Sequence, residues 1–197
     1  MEPIKKYIEF ISKLKVVYGK SNKIVFLLIA DPYNDTIGQY IGRRYRYLHI
    51  RTGKDLIFYC PGYTSGIKIG FSHEAFAQFI NEFESVTSWK YSGGTNILIM
   101  PYKNGELQFD TVYDINLTKM QSEGLLNDYR DFLERLIREF ADPDGFIDSE
   151  YSRLQIESLL DNFTSLLPEI VGRVFKQISR SRKIHKNLKL CDIRKKA

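Results

Sequence analysis

The longest unbroken apolar run in this chain is seven residues, 24–30, reading Ile-Val-Phe-Leu-Leu-Ile-Ala. A helix that crosses a membrane needs about 20 apolar residues, so this run is too short to be one. It is the right length for a buried strand, and its β-branched and aromatic content favours extended backbone. Turn formers stand on both sides: Gly19, Ser21 and Asn22 before it, and Asp31, Pro32, Asn34 and Asp35 after it. Pro32 keeps Asp31 out of helical geometry, while Asp and Asn favour turns and caps.

Other segments arrange themselves around that strand. Residues 3–17 carry Ile4, Tyr7, Ile8, Ile11 and Leu14 at helical offsets and predict an amphipathic helix. Ser72 followed by Phe76, Phe79, Ile80 and Phe83 predicts a capped helix with a clean apolar stripe. Lys103-Asn104-Gly105 between 96–100 and 106–110 is a hairpin turn signal. Residues 35–51 read two ways. Asp35 can cap a helix through Ile37, Tyr40 and Ile41, whereas 44–50 alternates like a strand, with Thr52-Gly53-Lys54 turning into a further strand at 56–60. The expectation is a short helix followed by that hairpin. From 122 onward helical patterns dominate: Leu126, Tyr129, Leu133, Leu136, Ile137 and Phe140, then Leu159 to Ile178 with Pro168 inside.

With 197 residues and 43% hydrophobic content, the chain can build one full core. The expected class is α/β or α+β: a small mixed sheet with flanking helices, then a C-terminal helical segment and a basic tail. The expected divisions are an α/β body over 1–120, helices packed on it in the same domain over 121–184, and the tail over 185–197. The order helix, strand, short helix, strand, helix, hairpin, helix resembles the thioredoxin-like arrangement. That resemblance implies element order alone, because the Cys-x-x-Cys of that fold is absent: Cys60 is followed by Pro61, Gly62 and Tyr63.

Most catalytic constellations are missing. His49, His73 and His185 lie far apart and belong to no metal-ligand motif, so no metal or cofactor is expected. There is no Gly-x-Ser-x-Gly elbow and no standard nucleotide-binding glycine loop. Cys60 facing His49 across a hairpin is conceivable as a nucleophile pair, against the ordinary reading of a buried structural thiol. Residues 61–66 and 92–95 are glycine-containing turns that can serve as anion nests or as plain connections. In open α/β sheets, ligands gather at the carboxyl ends of strands, which puts Asp31 and Asp35, with Arg43 and Arg44, forward as a candidate site. The same residue types also make simple turns and caps.

Charge is the most uneven property of the chain. Residues 173–197 hold ten Lys/Arg and one acid, a net +9, while 1–172 sums to −4. Within the basic stretch Arg173, Lys176, Arg180 and Lys183 fall three or four apart, so a helix there has one cationic face; Arg182 and Lys186 add to it. A second cluster joins Arg43, Arg44, Arg46 and Arg51 with Tyr40, Tyr45 and Tyr47, a composition that suits phosphate contacts and base stacking, and equally protein interfaces. Two cysteines rule out a disulfide scaffold, and the charged start of the chain has no signal-peptide core, so the expected address is the cytoplasm, with no membrane partner. The expected function is a non-catalytic binding subunit in a larger complex, gripping nucleic acid or an acidic protein surface through the basic C-terminal face. The alternative is a small hydrolase or nucleotide-processing enzyme built on the Asp31–Asp35 loop and its neighbouring arginines.

Overall fold

The structure, a computed structural model, describes residues 1–21, 23–52, 57–64, 70–110, 112–124, 126, 128–140 and 188–195. Its elements run β1 (Glu2–Ile4), α1 (Tyr7–Tyr18), β2 (Lys23–Ile29), α2 (Thr36–Thr52), β3 (Phe58–Pro61), β4 (Tyr63–Thr64), β5 (Gly70–Phe71), α3 (His73–Val86), β6 (Asn96–Lys103), β7 (Glu106–Leu107), β8 (Val112–Asn116), α4 (Leu117–Ser122), α5 (Tyr129–Phe140) and β9 (Leu188–Cys191). The fold is α/β, as the sequence predicts. A seven-stranded mixed sheet has the order β1-β3-β2-β6-β8-β9, with β7 pairing β6. β1, β3 and β2 are parallel; β6, β8 and β9 each run antiparallel to the strand before them in that order. β4 and β5 form a separate two-stranded ribbon.

The apolar run that opened the sequence is the centre of this sheet, and it is buried on both sides. Successive residues of a strand point to opposite faces. Val25, Leu27 and Ile29 accordingly join the core beneath α1 and α3, with Phe10, Leu14, Phe79 and Phe83. Phe26, Leu28 and Ala30 join the opposite core, beneath α2, α4 and α5, with Ile41, Leu48, Met120 and Leu136. The register carries the same parity across the sheet: Phe26 sits opposite Phe58 and Ile99, and Leu27 opposite Tyr59 and Leu98.

The α3 helix matches its pattern: Phe76, Phe79, Ile80 and Phe83 are buried, and the Ser72 hydroxyl accepts from Ala75 N at 3.2 Å. The Asn104-Gly105 turn also forms, both residues having positive φ (54° and 88°). Two expectations are corrected. Residues 36–52 are one helix, so 44–50 is no strand and β3 has no hairpin partner before it. The Arg/Tyr alternation at 44–47 mimics a strand, yet Ile37, Ile41, Tyr45, Leu48 and Thr52 recur at helical spacing and all are buried. The helical period over 3–17 also starts too early. Residues 2–4 form an edge strand on β3, and α1 turns Phe10 and Leu14 inward while Ile8 stays 66% exposed. Pro3 is tolerated there because an edge strand has a side that needs no amide donor.

The C-terminus is described over 188–195. There the expected tail is sheet edge and core contact. Residues 188–191 pair with β8 from Ile115 to Val112. Ile193 is only 3% exposed; its N–H donates to Phe109 O at 2.7 Å and its carbonyl accepts from Ser88 N at 2.8 Å. The physical reason is legible in hindsight: Leu188, Leu190 and Ile193 interrupt the bases, and β8 offers an open row of backbone groups to pair with. The candidate binding residues Arg173, Lys176, Arg180, Arg182, Lys183 and Lys186, and the helices expected over 159–178, lie outside the described residues.

Ile193→Ala should therefore lower unfolding stability by about 2–4 kcal/mol, the usual cost of emptying a buried aliphatic site. Lys195→Ala, at an exposed position two residues on, should shift it by less than about 0.5 kcal/mol. Denaturant midpoints of the two variants measured side by side check this.

Candidate functional site

The carboxyl end of β2 leads straight into the loop 31–35 and the start of α2. Asp35 caps that helix, its Oδ1 accepting from Gly38 N at 2.6 Å. The same carboxylate takes Thr95 N at 3.0 Å, the Thr95 hydroxyl at 3.0 and 3.1 Å, and the Thr118 hydroxyl at 2.5 Å. One side chain thus ties together α2, the turn before β6 and the start of α4. Of the turn 92–95, Thr95 alone supplies a backbone N–H to Asp35 among the described hydrogen bonds, so the group this turn meets is the protein's own carboxylate. Gly94 is needed beside it, since a Cβ there would lie 2.9 Å from the Thr118 side chain.

Asp31 is placed differently. Its Oδ1 accepts from Tyr33 N at 2.9 Å, an Asx turn, and its Oδ2 lies 3.5 Å from His73 Nδ1. Arg43 sits eight residues beyond Asp35 on α2, about 12 Å along the helix axis at 1.5 Å per residue. Asp31 and Asp35 thus have different partners within the fold. The carboxylate of Asp35 is committed to the fold, and among the described residues no ion pair joins the arginines to either acid.

Cys60 and His49 stand on different elements, and among the described residues no hydrogen bond joins them. Cys60 lies in β3, fully buried, and burial pushes its thiol up to about 12. His49 lies near the end of α2, with Nδ1 2.7 Å from the Met1 amino group. Among the described residues no group of three His, Cys, Asp or Glu converges as a metal site, and no helix is long and apolar enough to cross a membrane.

What the sequence reading missed is a cleft of about 480 Å³ between the loop, α2 and the β4–β5 ribbon. Pro32 and Tyr33 line it from the loop, Gln39, Gly42 and Arg43 from α2, and Tyr63 and Phe71 from the ribbon. Two glycines one helical turn apart let the loop lie this close to α2. A Cβ on Gly38 would meet Asp31 O at 2.1 Å, and one on Gly42 would meet Pro32 Cβ at 2.7 Å. The Gly-x-x-x-Gly spacing was the available signal. Tyr63 is buried, stacked on Tyr45 at 4.6 Å, and burial raises its phenol above the ordinary range. Its hydroxyl has no hydrogen-bond partner among the described residues.

Beyond the cleft, α2 turns Arg43, Arg44 and Arg46 to solvent, together with Tyr47 (44% exposed) and Ile50 (68%). The helix contains no Asp or Glu. Among the described residues none of these three arginines makes an ion pair, whereas Arg51 reaches Glu134 at 3.4 Å. The structure thus keeps together, on one helix, the N-terminal basic cluster that the sequence singled out. No family model, curated protein or solved structure matches this chain.

Two outcomes follow from the local chemistry. Asp35→Ala should cost about 3 kcal/mol, combining a lost helix cap with polar groups left unpaired, while Asp31→Asn should cost less than about 1 kcal/mol because the amide oxygen still accepts from Tyr33. Thermal melts of both variants would show the contrast. Cys60 should resist alkylation at neutral pH in the native protein and react only on unfolding, as read by peptide mapping.

Proposed function

We propose that this chain is a non-catalytic binding module that works in the cytoplasm as part of a larger assembly, and that α2 holds a nucleic-acid strand. The observation that carries this reading is the acid-free outer surface of α2, where Arg43, Arg44 and Arg46 stand exposed beside Tyr47 and make no ion pair among the described residues. Guanidinium groups pair with phosphate oxygens bidentately, and exposed tyrosine faces stack on unpaired bases. The surrounding body is not generally cationic, since 1–172 carries −4, so the clustering on one helix is specific to that surface. The +9 of 173–197 adds attraction for the same kind of partner. An enzymatic reading loses support from Asp35, whose carboxylate is occupied by Gly38, Thr95 and Thr118.

The test is binding of a labelled single-stranded oligonucleotide to the full chain over a salt series, read by anisotropy. Each phosphate contact on a single strand contributes about 0.7 to the slope of log affinity against log salt, so replacing Arg43, Arg44 and Arg46 by Gln should reduce that slope by about 2. An unchanged slope and affinity in the triple variant would remove α2 from the reading. Equal or tighter binding of poly-glutamate would replace nucleic acid by an acidic protein surface. The contribution of the C-terminal bases is measured by neutralising Arg180, Arg182, Lys183 and Lys186 in place; truncation after Ser179 would delete β9 and Ile193 and report on folding instead.

A further inference from the structure

We infer that the cleft beside α2 seats one unstacked base of that strand, with Tyr33 as the stacking surface and Arg43 at the mouth for the adjoining phosphate. This rests on the reading of α2 as a strand-binding helix. Four observations support it. The volume, about 480 Å³, is in the range of small-ligand sites and admits a nucleobase with its sugar. Tyr33 is 70% exposed yet not loose: its N–H is held by Asp31, and its ring is braced by His73 at 5.0 Å and Phe71 at 6.1 Å. An aromatic ring fixed in place but left open to water is suited to stacking, because little rotamer freedom is lost on binding.

The third observation is the Tyr63 hydroxyl. Tyr63 is one of the residues that line the cleft, and its buried hydroxyl has no partner among the described residues, a costly arrangement unless something supplies one. The ring nitrogens and exocyclic groups of a base offer both donors and acceptors, and the Gln39 amide on the same wall adds one of each. The fourth is continuity: Arg43 belongs both to the cleft and to the exposed cationic face of α2, so a strand lying on that face passes the opening. A ring inside with its phosphate outside uses both halves of the surface. An apolar peptide side chain would leave the Tyr63 hydroxyl and the Arg43 guanidinium unanswered.

The experiment uses the full chain and an oligonucleotide whose only base is a central 2-aminopurine, flanked by abasic sugars. Anisotropy of an end label reports binding, and the fluorescence of the base analogue reports stacking. Binding with quenching of the analogue is expected. Tyr33→Ala should abolish the quenching and weaken binding of this strand roughly 5- to 150-fold, the span of base–aromatic stacking. It should leave a fully abasic strand bound as tightly as before. Tyr63→Phe, which removes an unpartnered hydroxyl and so should not destabilise the fold, is expected to weaken only the base-bearing strand, by roughly 2- to 10-fold. Equal affinity for base-bearing and fully abasic strands, with no quenching, would overturn the cleft while leaving strand binding by α2 intact. No anisotropy change at low salt for either strand would overturn the α2 reading and this inference with it.

Discussion

A single carboxylate, that of Asp35, decides how the upper end of this molecule is organised. It sits where the central strand gives way to α2, and it collects hydrogens from a helix amide, a strand-entry amide and two threonine hydroxyls. Those groups belong to three segments far apart in sequence. Without a shared acceptor, their donors would compete for water at the rim of the core, and the helix would begin wherever the loop let it. With it, the first turn of α2 is fixed against β6 and α4, and the arginine-bearing turns further along inherit that direction. Charge-assisted hydrogen bonds of this kind are about twice as strong as neutral ones, which suits a joint between layers.

Beneath that joint, the sheet divides the chain into two cores of different character. The α1/α3 side is strongly aromatic: Phe10 meets Tyr59 edge-on at 5.1 Å, and Phe79 stacks with Phe83 at 5.9 Å. The α2 side mixes aliphatic residues with the stacked Tyr45 and Tyr63, whose rings carry hydroxyls into the interior. The first side packs largely through edge-on and stacked ring pairs, which bring about 0.5–1.5 kcal/mol each beyond the area they bury. The second differs in lining a cleft, into which Tyr63 and its neighbour Phe71 extend the aromatic packing.

The sequence disclosed elements with a strong period and hid those set by distant partners. The buried run at 24–30, the capped stripe of α3 and the Asn104-Gly105 turn are all local signals: a propensity, a spacing, a dipeptide. α2 was obscured because alternating Arg and Tyr at 44–47 looks like a strand until Ile41, Tyr45 and Leu48 are read as one face. β1 and β9 are strands because β3 and β8 present unpaired edges, and nothing within three or four residues announces that. At the site, Asp31, Asp35 and the arginines were visible as residue types. Their division of labour was not, because the role of Asp35 is defined by Thr95 and Thr118, which lie 60 and 83 positions away. The cleft was invisible for the same reason, since Tyr63 and Phe71 join it through the ribbon.

The placement of β9 has a consequence for how the chain reaches this state. Val112 and Cys191, which meet across the β8–β9 pair, are separated by 79 positions. Closing so long an intervening stretch carries an entropic cost that is recovered only once the ladder zips up. Until then β8 is the rim of an incomplete sheet, with its amides and carbonyls available to any other extended segment. Newly made molecules therefore pass through an interval in which intermolecular strand exchange competes with the correct ending. Burial of Ile193, which anchors the chain just past the final strand, acts in this light as a kinetic safeguard as well as a thermodynamic one.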